Sequence, residues 1–168
     1  MIKHSEQRVA VFVDVQNMYH SAKNLYDARV NFKEVLKEAV GNRKLVRAVA
    51  YVVEGKGREE QAFFEALDRE GFEVKSKDLQ IFSSGAKKAD WDVGMAVDAI
   101  KLADKMDAII LVTGDGDFVP LVQYLRENKG CIVEVAAFGE TTSSRLSETA
   151  DDFIDLGKNK RRFLIKIR

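Results

Sequence analysis

The sequence predicts an α/β fold: one domain with a mostly parallel central sheet and helices on both faces. Three observations carry that reading. Near-continuous apolar runs recur along the chain, "RVAVFVD", "KLVRAVAYVV", "MDAIILVTG" and "CIVEVAAF". Stretches with a helical apolar period lie between them. Strands apolar on both sides belong to sheets covered on both faces, and parallel neighbours need long crossovers, usually helices. The size agrees, because 168 residues suit a single domain, which at this length buries about 70% of its unfolded surface.

In chain order, "RVAVFVD" (Arg8–Asp14) is a strand that ends in a carboxylate. "NMYHSAKNLYDA" follows as a helix with Met18, Ala22 and Leu25 on one stripe. "NFKEVLKEAVG" is the next helix, with Asn31 as N-cap and Gly41 as its stop. Lys44–Val53 is a strand. "GREEQAFFEALDREGF" is an amphipathic helix with Ala62, Phe63, Ala66 and Leu67 inward, stopping at Gly71. "FEVKSKDLQIF" gives a short strand and a second extended piece, and Ser83–Lys88 is a turn-rich loop. "DWDVGMAVDAIKLADK" is a helix and "MDAIILVTG" a strand. "FVPLVQYLRENKG" is a helix with Pro120 near its start, where a missing N–H costs little. "CIVEVAAF" is a strand, "SSRLSETA" a short helix and "DFIDL" a short strand. Residues 1–157 form the domain, and 158–168 are a basic tail or edge strand. There is no repeat, linker or low-complexity tract.

Lys+Arg and Asp+Glu are both 27, so net charge is zero and decides nothing about a polyanionic partner. The one cysteine, Cys131, lies in a strand-like run and reads as a small buried hydrophobe in a reducing cytoplasm. One Cys and two His make a structural zinc site unexpected. "MIKHSEQR" lacks the apolar core of a signal peptide, and no window suits a membrane span, so a cytoplasmic location is expected.

Ligands of open parallel sheets bind beyond the C-terminal strand ends, where strand order reverses. One predicted strand ends at Asp14 and another runs into "TGDGD", which holds Asp115 and Asp117. A single Asp after a strand is often only a helix cap, and Asp117 is also placed to cap "FVPLVQYL". The combination is more telling. If the two strands are neighbours, their carboxylates converge and require a counterion, and oxygen-only ligands point to Mg²⁺ or Mn²⁺.

The helix "DWDVGMAVDAIKLAD" adds another acid. At roughly 100° per residue, Met95, Ala96, Ala99, Ile100 and Ala103 lie within about 80° of Asp92, with Val93 not far outside. Asp92 therefore sits on the apolar face, where a charge needs a partner. Asp90 reads as the N-cap, Asp104 as solvated, and Asp98 falls on the boundary beside Trp91 and Leu102.

Four blocks of this chain resemble the NYN domains, the LabA-like branch of the PIN-like nuclease superfamily. "VFVDVQNMY" is similar to the family's hydrophobic-Asp-x-x-Asn opening. "KKADWDVGMAVDAI" resembles its Lys-x-x-x-Asp-Val helix with a second Asp six residues on. "VTGDGDFVPLVQYLRENKGCIVEV" resembles its hydrophobic-x-Ser/Thr-Gly-Asp-x-Asp-Phe block, and "SSRLSETADDFIDL" its Ser-x-x-Leu-x-x-x-Ala-Asp-x-Phe close. The blocks come in the family's order and cover roughly Val9–Leu156. The resemblance implies a Rossmann-like (PIN-like) sheet, Mg²⁺ or Mn²⁺ binding, and ribonuclease activity in many members. By position it makes Asp14, Asp92, Asp115 and Asp117 the acidic metal and catalytic residues. It makes Asn17, Thr113 and Ser143 polar neighbours of the site. Lys88, or Lys87 beside it, takes the family's basic position.

The expected chemistry is phosphodiester hydrolysis of RNA, taken to be single-stranded, with DNA left open. A bound cation would lower the pKa of a water and stabilise charge on phosphate oxygens. Asn17 would orient a water or phosphate, Thr113 would hold a carboxylate, and Lys87 or Lys88 would contact a substrate phosphate. Gly114 and Gly116 are expected to turn the backbone so that both acids reach one point. The tail "KNKRRFLIKIR", with "GNRKLVR" and "GKGR", would supply positive surface. Alternation of Phe163, Ile165 and Ile167 suggests an edge strand or a homodimer contact, a role that can coexist with RNA contact. Tyr19 and Tyr26 are candidates for base stacking.

Two rival functions stand beside this one. A non-catalytic module binding RNA or a protein would keep the acids without turnover. A phosphatase of the haloacid dehalogenase type would want a second Asp where Gln16 stands. An EF-hand reading of "DGDFVPL" fails at Val119, which sits where a third oxygen ligand belongs.

Overall fold

A computed structural model describes residues 3–55, 57–78, 80–81, 83–84, 87–88 and 90–166. The chain begins with β1 (Arg8–Asp14), α1 (Val15–Tyr26), β2 (Ala28–Val30) and α2 (Phe32–Val40). It continues through β3 (Lys44–Glu54), α3 (Arg58–Arg69), β4 (Glu73–Asp78), β5 (Gln80–Ile81) and β6 (Lys87–Lys88). Then come α4 (Asp92–Ala103), β7 (Ala108–Val112), α5 (Val119–Asn128), β8 (Ile132–Ala137) and α6 (Ser144–Thr149). It closes with β9 (Asp152–Asp155), α7 (Lys160–Phe163) and β10 (Leu164–Lys166).

Six strands form the central sheet in the order β4-β3-β1-β7-β8-β9, every pair parallel. The chain winds outward from β1 through β3 to β4, then returns to β7 on β1's other side. Strand order therefore reverses between β1 and β7, which is where a doubly wound sheet opens its crevice.

Alternate side chains feed separate cores. Val9, Val11 and Val13 of β1 pack with Ala50, Val52, Ile110 and Val112 under α1 and α2. Ala10 and Phe12 pack with Val49, Tyr51, Ile109 and Leu111 under α4 and α5. Burial on both faces is why these strands read as continuous apolar runs. Asn31 caps α2 by accepting the Glu34 N–H, and Gly41 ends that helix with φ 60°. Cys131 is buried, its thiol donating to the Ala103 carbonyl at 3.3 Å.

Several local expectations need correcting. On α3 the inward stripe is Phe64 and Leu67, while Ala62 and Phe63 are exposed. Phe63 lies on the flank of α3, its ring 6.1 Å from that of Phe32. Val93 is 77% exposed despite its place near the apolar face of α4. Lys87–Lys88, expected in a loop, form β6, which pairs antiparallel with β5. The tail is more than an edge strand: a 3-10 turn (Leu156–Asn159) leads into α7, where Phe163 is buried, and β10 pairs antiparallel with β2. Ile167 lies outside the described residues.

The basic stretch "GNRKLVR" is largely engaged inside the fold. Arg43 is buried and forks onto Glu134 at 2.6 and 3.0 Å. Lys44 pairs with Glu6 and Arg47 with Glu73. In the tail, Arg162 pairs with Glu34 and Glu38. None of the described helices is long and apolar enough to cross a membrane.

Candidate active site

β1 and β7 lie side by side with Val13 opposite Val112, so their C-terminal ends open into one crevice. Asp14 does cap α1, but it also faces that crevice. Its Oδ1 accepts the Asn17 N–H at 3.2 Å and its Oδ2 accepts the Thr113 hydroxyl at 3.1 Å. The Thr113 oxygen in turn accepts the Asp115 N–H at 3.2 Å. One buried hydroxyl thus links the two acid-bearing segments. Fully buried, Thr113 has no surface for a substrate and positions the carboxylates from beneath. Asn17 adds a second clasp, its Oδ1 accepting the Gly114 N–H at 2.9 Å. That oxygen is therefore occupied in holding α1 to the β7 loop.

Asp92 arrives from the other side. Trp91 fixes the start of α4: its indole N–H donates to the Val52 carbonyl at 2.8 Å, and its ring lies 5.3 Å from that of Tyr51. Asp92, the first residue of α4, is thereby delivered to the end of the sheet. Asp90 accepts the Asp92 N–H at 3.2 Å in a turn just before the helix, whereas the N-cap position belongs to Trp91. Carboxylate oxygens of Asp14, Asp92 and Asp115 all lie within 4.8 Å of one another. Among the described residues none of these acids has an ion-pair partner, and the Asp92 carboxylate accepts no hydrogen bond.

The electrostatics reflect that lack of compensation. Burial pushes the Asp92 carboxyl up to about 6, with the charges of Asp115, Asp90, Asp14 and Asp117 adding to the shift. Burial also raises Asp14 above the ordinary carboxylate range, against the hydrogen bonds from Asn17 and Thr113. Asp98 behaves differently. Burial pushes it up, but Lys75 and the Tyr51 hydroxyl, each at 2.7 Å, outweigh that and hold it low. It is a structural pair on the flank of α4, and Asp104 pairs with Lys129 at 3.0 Å.

Asp117 stands apart from the triad. It is exposed on the 3-10 turn Gly116–Phe118, and it caps nothing; Asp115 caps that turn by accepting the Asp117 N–H. Ser143 is the N-cap of α6, accepting the Leu146 N–H at 3.3 Å. The side chains of Lys87 and Lys88 lie outside what is described. Tyr26 is not free to stack bases, since it packs edge-on against Phe138 and donates to Glu140.

Neither Gly114 nor Gly116 has a positive φ, so conformational freedom is not what requires glycine there. Close approach is what requires them. A Cβ on Gly114 would lie 3.0 Å from Thr142 Oγ1 and 3.2 Å from Thr142 Cα. One on Gly116 would lie 2.9 Å from Ser143 Oγ. The loop before α6 presses directly on the acidic loop.

The acids open onto a cleft of about 370 Å³ lined also by Gln16, Asn17, His20, Ser21, Asn24, Asp90 and Thr141. Most of these were not singled out from the sequence. The signal was present in α1, where positions 16, 17, 20, 21 and 24 form the polar face opposite Met18, Ala22 and Leu25. Asp90, read only as a cap, belongs to the same cleft.

Residues 8–157 match the NYN domain family. The chain belongs to that family. NYN domains are nuclease-like, and the acidic cluster lies at the switch point of the sheet. Among curated proteins the chain is similar to Low amplitude and bright protein LabA of Synechococcus elongatus, 28% identical over 160 residues, covering 89% of this chain and 83% of LabA. It is similar also to uncharacterised protein MJ0482 of Methanocaldococcus jannaschii, 30% identical over 159 residues, covering 91% of this chain and 57% of that one. A solved structure of a protein of unknown function, VPA0982 from Vibrio parahaemolyticus, superposes with a TM-score of 0.88 at 32% identity, covering 98% of this chain and 100% of its own.

Proposed function

We propose that this NYN domain is a metal-dependent ribonuclease. The observation that carries the reading is the convergence of Asp14, Asp92 and Asp115, none of which has an ion-pair partner among the described residues. Such a donor set is hard, all-oxygen and anionic, which fits Mg²⁺ or Mn²⁺. When bound, the cation supplies Lewis acidity at a phosphate oxygen and offsets charge that develops there.

The protein's own groups do the rest. Asp14, Asp92 and Asp115 hold the cation, and Asp117 at the rim adds negative potential. Thr113 and Asn17 fix the acids so that little reorganisation is needed. The polar face of α1 and Thr141 give the substrate strand hydrogen-bonding walls. RNA is the preferred polymer, because hydroxyl and amide groups along that wall can read a ribose 2′-OH.

The test is cleavage of labelled single-stranded and structured RNAs with Mg²⁺, with Mn²⁺ and with chelator, beside Asp115→Asn. Cleavage should vanish in chelator and in the variant. Cleavage indifferent to both would overturn the mechanism. RNA retained but never cut under any condition would instead establish a binding module.

A further inference from the structure

α1 forms one wall of the cleft from Gln16 to Asn24. At about 1.5 Å per residue that wall is roughly 12 Å long, and α1 itself runs on to Tyr26. Gln16, Asn17, His20, Ser21 and Asn24 line it with amide, hydroxyl and imidazole groups. The acids stand at its N-terminal end. At the other end Tyr26 donates to Glu140 at 3.3 Å, and Lys160 Nζ sits 4.7 Å above the centroid of the Tyr26 ring. Glu140 is the neighbour of Thr141, which lines the cleft. Lys160 therefore stands where the polar wall finishes.

Around Lys160 the tail gathers more positive charge. β10 lies along β2 with Ile165 opposite Arg29. Lys158, Lys160, Arg161, Lys166 and Arg29 are all exposed. None of them has an ion-pair partner among the described residues, whereas Arg162 in the same segment is bound to Glu34 and Glu38. In a chain of zero net charge this is a local concentration of uncompensated cations. Such a surface attracts a phosphate backbone through counterion release.

We infer that a single RNA strand runs the length of α1, with the scissile phosphate at the triad and flanking phosphates on Lys158, Lys160, Arg161 and Arg29. The inference rests on the ribonuclease reading of the triad. The neutral wall suits this path: it binds ribose and base edges beside acids that repel phosphates, and the cations take over where the acids are distant. Tyr19, 42% exposed with Lys23 5.7 Å from its ring, offers a face for an unstacked base on the same helix.

The test measures binding of fluorescent single-stranded RNA of about 16 nucleotides, at the long end of known single-strand site sizes. It uses the full chain in chelator, so that nothing is cut. The variant is K158A/R161A, which leaves the Lys160–Tyr26 packing intact. Affinity should fall about tenfold, and the log–log salt slope should flatten by about 1.4, two cations at about 0.7 each. In Mg²⁺ or Mn²⁺ the KM should rise with kcat unchanged. Unchanged affinity and slope would overturn the track even where cleavage proceeds. Normal track behaviour with no cleavage would leave it standing and remove the nuclease instead. Weakened binding of anionic vesicles or acidic peptides, with RNA binding untouched, would also overturn it.

Discussion

Two places in this molecule hold carboxylates against the core, and the fold treats them in opposite ways. Glu134 on β8 is fully buried, and it meets the equally buried Arg43 in a two-pronged contact with Lys3 at 3.2 Å beside it. Arg43 is further held by the Ala39 and Val40 carbonyls and by Gln7. At the C-terminal end of the sheet, Asp14, Asp92 and Asp115 crowd together, and among the described residues none of them has an ion-pair partner. A fold that so fully compensates one buried acid is able to compensate others. Under the proposed reading, the cluster at the switch point, with no partner among the described residues, is the charge that a cation from solution would offset.

The sharpest way to break the comparison is to make the paired region resemble the unpaired one. Arg43→Met strands Glu134 in the core and should cost about 3–5 kcal/mol, read by chemical denaturation. Changing Glu134→Leu as well should restore most of that loss. Gly114→Ala comes next. Its Cβ meets the backbone at Thr142, so stability should fall by about 1–3 kcal/mol and Mn²⁺ affinity should fall with it.

Asp92→Asn should act the other way on stability. It removes one of the repelling charges, so the metal-free protein should melt at or above the wild-type temperature, while Mn²⁺ affinity by calorimetry drops at least about tenfold. Lower melting with unchanged metal affinity would make Asp92 structural. A pH series on the wild type sharpens the same point. Between the ordinary value of 3.8 and about 6, the folded Asp92 holds a proton that the unfolded chain has lost. The metal-free protein should therefore lose stability as pH rises through that window. Saturating Mn²⁺ should raise the melting temperature clearly at pH 7 and hardly at pH 5. The smallest effect is expected at Asp104→Asn, which breaks only the exposed pair with Lys129. It should change stability by no more than about 0.5 kcal/mol and leave metal binding alone.

Much of this was legible because the signals are local. Arg8–Asp14 and "AIILV" are strands by apolar continuity alone; the first closes on Asp14, and the second reaches Asp115 three residues past Val112. Turning α4 at its fixed angle was enough to set Asp92 inward and Asp104 outward. What could not be read depends on partners distant in sequence. β2 is a three-residue strand that exists because β10 returns to pair with it. Glu134 looks like a flaw in "CIVEV" until Arg43, 91 residues earlier, is in view. Gly114 and Gly116 looked like turn residues, because the loop that crowds them comes about thirty positions later. The polar face of α1 was visible in the periodicity, but only the fold shows that it lines the cleft rather than open solvent.

Trp91 is the only tryptophan in the chain, and it sits between Asp90 and Asp92 with its indole tied to β3. The acidic site therefore carries a built-in fluorophore, free of background from any other indole. Cation or RNA binding that tightens the start of α4 becomes an emission change, and can be followed in real time by stopped-flow mixing without any label.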